Sequence, residues 1–248
     1  MDSGLYAAYS GLKATADMLD VLSNNLANVN TTGFKSDETF LRIYNHAISA
    51  PGAGPLDAVI NDSSVVRGSL SNFAPGAIMT TGNDLDVAVD GKGFLVVQGP
   101  AGLYYTRNGN LHVTADGDLV TAEGLRILGE SGPIQLPSGP ISITASGEIT
   151  VNGQSVDTLK LVDFKDRAEL EKVGNSLFRS RGSEGVALEP GDAAIRQGCL
   201  EQSNVNPVKQ MMTMIEVMRQ FESLQKTIFT LMNSVNERSI NQVGRIVG

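Results

Sequence analysis

Residues 85–98 read Leu85-Asp86-Val87-Ala88-Val89-Asp90-Gly91-Lys92-Gly93-Phe94-Leu95-Val96-Val97-Gln98. Two apolar runs flank Asp90-Gly91, and an Asp-Gly pair accepts the positive φ angles that a two-residue hairpin turn requires. The pattern repeats downstream. Short apolar or alternating runs stand at 104–107, 111–114, 119–121 and 126–128, cut by Asn108-Gly109 and Asp116-Gly117. Further runs follow at 134–136, 141–144, 149–151 and 156–162. Many short strands joined by tight turns make a barrel or sandwich, so residues 73–200 are expected to form an all-β core. A short helix at 167–171 and a loop at 180–190 are expected to interrupt it.

Outward from this core the period changes. On the N-terminal side Leu5, Ala8, Leu12, Leu19, Leu22, Leu26 and Val29 fall at three- and four-residue steps, with only Thr15 breaking the stripe. That seam predicts a helix that pairs with other helices. Gly4 and Gly11 make it a poor helix alone. Asn24, Asn25, Asn28 and Asn30 should end it, and Asn24, Asn25 and Asn28 either fix the bend by satisfying backbone groups or act as a plain helix cap. Thr31-Thr32-Gly33 reads as a turn. Residues 37–45 read as a short amphipathic or extended segment, 49–55 as a loop, and the sequence to about 71 is weakly patterned.

Toward the other end, Asn206-Pro207 reads as a cap followed by the first helical residue. Met211, Met214, Ile215, Met218, Phe221, Leu224, Ile228, Leu231, Met232 and Val235 follow at helical steps, fraying after Ser239. Five of the eight methionines lie here, where a flexible thioether can pack against differing neighbours. The expected class is therefore α+β. N- and C-terminal helices pair as a coiled-coil-like inner domain beside a central all-β domain of short strands. The expected division is a terminal assembly helix and turn at 1–35, an extended connector at 36–72, the β core at 73–200 and a second assembly helix at 201–248. Residue physics alone leaves open whether the stripes pair with each other or with other subunits.

Composition narrows the chemistry. The 19 Lys and Arg against 27 Asp and Glu leave a net charge of -8 with no basic run, which argues against a nucleic-acid partner. Without Trp, and with 5% aromatics, there is no platform for stacking a sugar or other small-molecule substrate. His46, His112 and the lone Cys199 are too dispersed for a metal cluster, and Cys199 reads as a small buried residue. Asp84-x-Asp86 and Asp116-Gly117-Asp118 lack the spacing of a calcium loop, and Gly91-x-Gly93 lacks the rest of a dinucleotide fingerprint. No catalytic, cofactor-binding or metal-binding residue is assigned. The acidic start Met1-Asp2-Ser3 predicts no cleaved signal, and no run is long enough for a membrane span.

Four blocks carry a resemblance. Asn24-Asn25-Leu26-Ala27-Asn28 with Thr31-Thr32-Gly33-Phe34-Lys35 resembles the N-terminal signature of the bacterial flagellar axial proteins, the rod and hook subunits. Asp86 to Phe94 resembles their core motif, as does Tyr105-Thr106-Arg107-Asn108-Gly109-Asn110-Leu111 with Gly117-x-Leu119-Val120-Thr121. Glu201-x-Ser203-Asn204-Val205-Asn206-Pro207, then Met214-Ile215 and Arg219-x-Phe221-Glu222, resemble the closing signature. Length and the opening Met1 to Tyr6 most resemble the proximal-rod branch, with the distal-rod branch as the alternative.

The resemblance implies a structural subunit rather than an enzyme, with the terminal helices lining a hollow shaft and the β domain outside. It implies export through the flagellar type III apparatus without cleavage, a periplasmic position in the basal body, and other rod proteins and copies of the chain as partners. The expected interface residues are Leu5, Leu12, Leu19, Leu22, Leu26, Met211, Ile215, Met218, Phe221 and Ile228. Asn24, Asn25, Asn28, Gly33, Phe34, Ser203, Asn204 and Val205 belong to the family motifs. Because isolated helices are marginal in water, both termini are expected to fold only on docking.

Overall fold

The computed structural model describes residues 2–45, 62–182, 185–188 and 192–246. Where the sequence divides into four consecutive segments, the contacts gather it into two compact units. One comprises Met1–Leu26, Asp37–Leu70 and Asn206–Gly248, the other Ala27–Ser36 and Ser71–Val205. Both are discontinuous because the chain leaves and re-enters each. The class is α+β.

The first unit holds helix α1 (Asp2–Ala27), strands β1 (Asp37–Asn45) and β2 (Asp62–Ser71), and helix α2 (Pro207–Ile246). Strands β1 and β2 form a two-stranded sheet, so the segment at 37–45 takes the extended alternative. The expected loop at 49–55 and His46 lie outside the described residues. α2 starts as its sequence dictates. Asn206 Oδ1 accepts from the Lys209 amide at 3.0 Å, and Pro207 occupies the first helical position, where its missing N–H costs nothing.

The second unit is β. Its strands are β3 (Ile78–Thr80), β4 (Val87–Gly91), β5 (Phe94–Gly99), β6 (Gly102–Thr106), β7 (Leu111–Val113), β8 (Leu119–Thr121), β9 (Arg126–Ile127) and β10 (Ile141–Ile143). They continue with β11 (Glu148–Val151), β12 (Gln154–Thr158), β13 (Leu161–Asp163), β14 (Leu170–Gly174), β15 (Leu177–Ser180), β16 (Val186–Ala187), β17 (Ala193–Gln197) and β18 (Cys199–Glu201). The main sheet runs β14-β15-β6-β5-β9-β8-β7, with β13 also pairing β5 and β16. Beside it are the meander β10-β11-β12 and the pairs β17-β4 and β18-β3.

β5 separates two cores. Phe94, Leu95, Val96 and Val97 are each at most 1% exposed, so the strand is buried on both faces. Its period of two sends Leu95 and Val97 into an aliphatic core with Val87, Leu119, Ile127 and Ile149. Phe94 and Val96 enter an aromatic core with Tyr105, Phe164 and Phe178. Each such side chain contributes about 1.5–3 kcal/mol on burial.

Several local expectations are corrected. Asp90-Gly91 does not close a hairpin, because β4 pairs with β17 while β5 pairs with β6, β9 and β13. Asn108-Gly109 likewise separates β6 and β7, which have different partners. Asp116-Gly117 does close one: Gly117, at φ 86°, donates to Thr114 O at 3.0 Å between β7 and β8. The same turn recurs at 144–148, where Gly147 donates to Thr144 O at 2.9 Å, in the repeated pattern Thr-Ala-x-Gly-acid. The helix at 167–171 is a 3-10 turn, Arg167–Glu169, followed directly by β14. The expected loop at 180–190 contains β16. Cys199, expected to be buried, is only partly so. It lies on β18, opposite Thr80.

Candidate assembly site

Within the β unit, residues 27–36 form a strap laid against the segment 201–205. The strap's turn is built locally: Thr31 donates its amide to Asn28 O at 3.2 Å and its hydroxyl to Asn28 Oδ1 at 3.1 Å. Gly33 then takes φ 66° and donates to Glu201 O at 2.8 Å. Asn204 N donates to Phe34 O at 3.4 Å, Ser36 N donates to Asn204 Oδ1 at 2.8 Å, and Asn204 Nδ2 reaches Asn72 O at 2.7 Å. Phe34 is buried and carries the Lys172 ammonium 3.7 Å over its ring. Ser203 is half-buried and its hydroxyl accepts from the Val205 amide at 3.3 Å, while Val205 is buried.

Beneath the strap lies an ion cluster that sequence reading missed. Lys35 Nζ donates to Glu201 Oε1 at 2.6 Å and to Ala74 O at 2.9 Å, and both charged side chains are 1% exposed. Gly76 N also donates to Glu201 Oε1, at 2.8 Å. Arg107 Nη1 approaches Glu201 Oε2 at 3.3 Å and bonds Val89 O at 3.0 Å, and Nη2 bonds Gly91 O at 2.8 Å. Burial pushes the Lys35 ammonium below its ordinary value, and the Glu201 carboxylate opposes that shift. A group so buried is tolerable only with its partners in place. Lys35 and Glu201 are 166 positions apart, and no local signal links them.

In the helical unit the expected interface residues divide. Leu12, Leu19, Leu22, Leu26, Phe221 and Ile228 are half-buried, whereas Leu5, Met211, Ile215 and Met218 are exposed. The inward seam of α2 runs Met214, Val217, Phe221, Leu224, Ile228 and Leu231, and Val217 is its most buried member at 4%. The sequence stripe passed over Val217. The two helices meet inside one chain, because a Cβ on Gly11 would stand 3.6 Å from Leu224 Cδ1. Thr15 does not interrupt the buried face. It is itself buried, with its hydroxyl donating to Gly11 O at 3.0 Å and Leu12 O at 2.9 Å. Asn25, 2% exposed, braces the end of α1 by exchanging bonds with the Asp37 main chain at 2.8 and 2.9 Å. Asn24 is exposed and Asn28 half-buried.

A second apolar stripe remains outside that seam. Val208, Met211, Ile215, Met218, Phe229 and Met232 are 48–67% exposed on α2. The carboxylates of Asp86 and Asp118 are held in local bonds. Asp86 accepts from Thr81 Oγ1 at 2.6 Å and Asn83 Nδ2 at 3.1 Å, and Asp118 accepts from Gln135 Nε2 at 2.9 Å and pairs with Arg126 at 2.7 Å. Among the described residues no group of His, Cys, Asp and Glu is arranged to hold a metal, and no helix is long and apolar enough to cross a membrane.

A buried strap at the helix roots and an unpartnered apolar helix face describe a part made to be assembled. Three family models match in the same order as the four blocks. They are a flagella basal body rod protein model at residues 5–35, the flagellar hook protein FlgE/F/G D1 domain at 88–151, and the flagellar basal body rod FlgEFG protein C-terminal model at 196–231. The chain is 34% identical to the flagellar basal-body rod protein FlgF of Caulobacter vibrioides, covering 99% of this chain and 98% of that one. It is 35% identical to FlgF of Salmonella typhimurium, covering 98% of each, and 34% identical to FlgG of Bacillus subtilis, covering 91% and 94%. The chain belongs to the flagellar basal-body rod protein family. In this rod protein the first and last matched segments contain Lys35 and Glu201 respectively, so the two ends of the family pattern meet in the ion cluster.

Proposed function

We propose that the chain is a structural subunit of the flagellar rod, of the proximal FlgF kind, incorporated through its terminal helices. The observation that carries this reading is the exposed stripe Val208, Met211, Ile215, Met218 and Met232 on a helix whose opposite seam is already occupied. A helix apolar on two sides asks for neighbours on both. Covering the stripe with α-helices of adjacent axial subunits would remove apolar surface from water at about 25 cal/mol per Å2, less the cost of ordering side chains. Leu5, Leu12, Leu19, Leu22 and Leu26 on α1, with Phe221 and Ile228 on α2, set the shape of the helical pair presented to those neighbours.

Other rod proteins and further copies of the chain are the proposed partners, with delivery by the flagellar type III export apparatus to a periplasmic position in the basal body. Both termini are helical within a single chain, with Gly11 against Leu224. Docking of formed helices therefore replaces folding upon docking in this proposal, because the partner an isolated helix lacks is supplied internally.

The test is a paired charge substitution on the exposed stripe, Ile215→Asp with Met218→Asp. Circular dichroism and the thermal midpoint of the purified chain should be unchanged, while rods isolated from cells should contain at least about tenfold less of the variant. Normal incorporation would sink the proposal. A distal-rod role is the second reading, favoured by the 34% identity to a FlgG. Complementation of a strain lacking FlgF, against one lacking FlgG, separates the two.

A further inference from the structure

The exposed helix stripe is already assigned, and the half-buried Cys199 lies against Thr80. The strongest unassigned feature is the Lys35–Glu201–Arg107 cluster. Its geometry joins four stretches of chain. Lys35 comes from the strap that follows α1, Glu201 from β18 just before α2, Ala74 and Gly76 from the segment that follows β2, and Arg107 from just after β6. Around it Gly33, Phe34 and Ser36 on one side bond Glu201 and Asn204 on the other through main chain and amide.

We infer that this cluster is a latch that makes the chain segments leading into α1 and α2 order and release as one unit, separately from the sheet that carries them. Three facts argue for one device rather than scattered contacts. The single Glu201 carboxylate serves partners from three segments: Lys35 Nζ, the Gly76 amide and the Arg107 guanidinium. Asn204 serves both sides too, accepting from Ser36 N and donating to Asn72 O and Ala74 O. The strap meets the sheet, by contrast, through side-chain groups: Thr32 Oγ1 to Asn108 Oδ1 at 2.7 Å, Ser176 Oγ to Thr32 O at 3.4 Å, and Lys172, whose Nζ donates to Lys35 O at 2.7 Å and lies over the Phe34 ring.

Loss of Glu201 strands two buried cations, Lys35 and Arg107, and loss of Lys35 leaves Glu201 only the longer 3.3 Å ion pair with Arg107, which makes partial opening costly and concerted opening the cheaper path. The sheet does not share in this. Its ladder runs through β5 to β9 and β13 to β16, and neither that ladder nor the two cores contain Lys35 or Glu201. The latch is a property of the chain alone, so it stands or falls independently of incorporation into a rod.

Site-resolved amide hydrogen exchange on the full chain tests it. In Asn204→Ala, an uncharged lesion, exchange at Gly33 should speed by about tenfold along with Ser36, although Gly33 donates to Glu201 O and not to Asn204. The amides of Leu119 and Leu128, bonded to Ile134 O and Val96 O, should keep their rates. Lys35→Met and Glu201→Gln should each speed Gly33, Ser36 and Asn204 together. The double variant should recover protection relative to Glu201→Gln alone, since the Lys35 ammonium is no longer stranded and Arg107 keeps Val89 O and Gly91 O as acceptors. Acceleration confined to Ser36 in Asn204→Ala would overturn the inference, as would equal acceleration at Leu119 and Leu128. If the charged variants fail to fold, Asn204→Ala alone decides between these outcomes.

Discussion

Gly33 is held in the left-handed region at φ 66°, and a Cβ there would stand 2.3 Å from the Asn108 amide nitrogen. Both faults act on any side chain, one on the backbone and one on its neighbour. Gly33→Ala is therefore expected to destabilise the β unit by about 2–4 kcal/mol. Urea unfolding followed by circular dichroism checks it, and an unchanged midpoint would contradict the geometry. Gly109 makes a different point. Its Asn-Gly context suggests a hairpin, yet its φ is not positive, and the need for glycine comes from Val87 O, only 1.8 Å from where a Cβ would lie. The sequence shows that a glycine is wanted and not which of these reasons applies. Thr15 and Val217 are not placed by the sequence for a related cause. A hydroxyl satisfied by its own helix, and a valine one step off the assumed stripe, look alike in sequence whether buried or exposed.

At the level of elements, the existence of strands was legible because each short apolar run ends in turn residues, and both long helices were legible from their period. Pairing was not, because hydrogen-bond partners come from distant segments. β4 reads as the first arm of a hairpin with β5 but pairs with β17, about a hundred residues on. The helix expected at 167–171 shortens to Arg167–Glu169 because a local ion pair and cap stabilise only one turn. Asp166 accepts from the Ala168 amide at 2.9 Å, and Asp163 accepts from Arg167 Nε at 3.0 Å and Nη2 at 2.8 Å.

This element carries a pH prediction. Burial pushes the Asp163 carboxyl up, but Arg167 and the Phe164 amide outweigh it and hold the group below its ordinary 3.8. A carboxylate depressed on folding adds stability above about 3.8, and that stability is lost as pH falls through the lower folded value. Asp163→Asn should lower stability at neutral pH by about 1 kcal/mol and flatten its fall in that acidic window. Denaturant titrations at pH 7 and at pH 3 measure the difference, and parallel curves for the two proteins would rule out the role given to Asp163.

For the whole molecule, two properties pull in opposite directions. The net charge of -8 makes copies of the chain repel one another in dilute buffer, whereas the exposed stripe on α2 draws apolar surfaces together. Salt screens the first within about 8–10 Å and leaves the second intact, and sulfate strengthens it. Which part of this balance was legible follows from what each term depends on. Charge is a sum over residues and can be read from sequence. Exposure of Met211, Ile215 and Met218 depends on which seam α2 turns inward, and the unnoticed Val217 decides that. Association driven by the stripe is therefore expected to rise when ionic strength is raised, and to rise further in sulfate at equal ionic strength. Ile215→Asp with Met218→Asp should abolish both increases. Sedimentation velocity at fixed protein concentration reads the outcome. Association that instead falls with salt would mean that complementary charged surfaces hold the copies together, and the stripe would then need a different occupant.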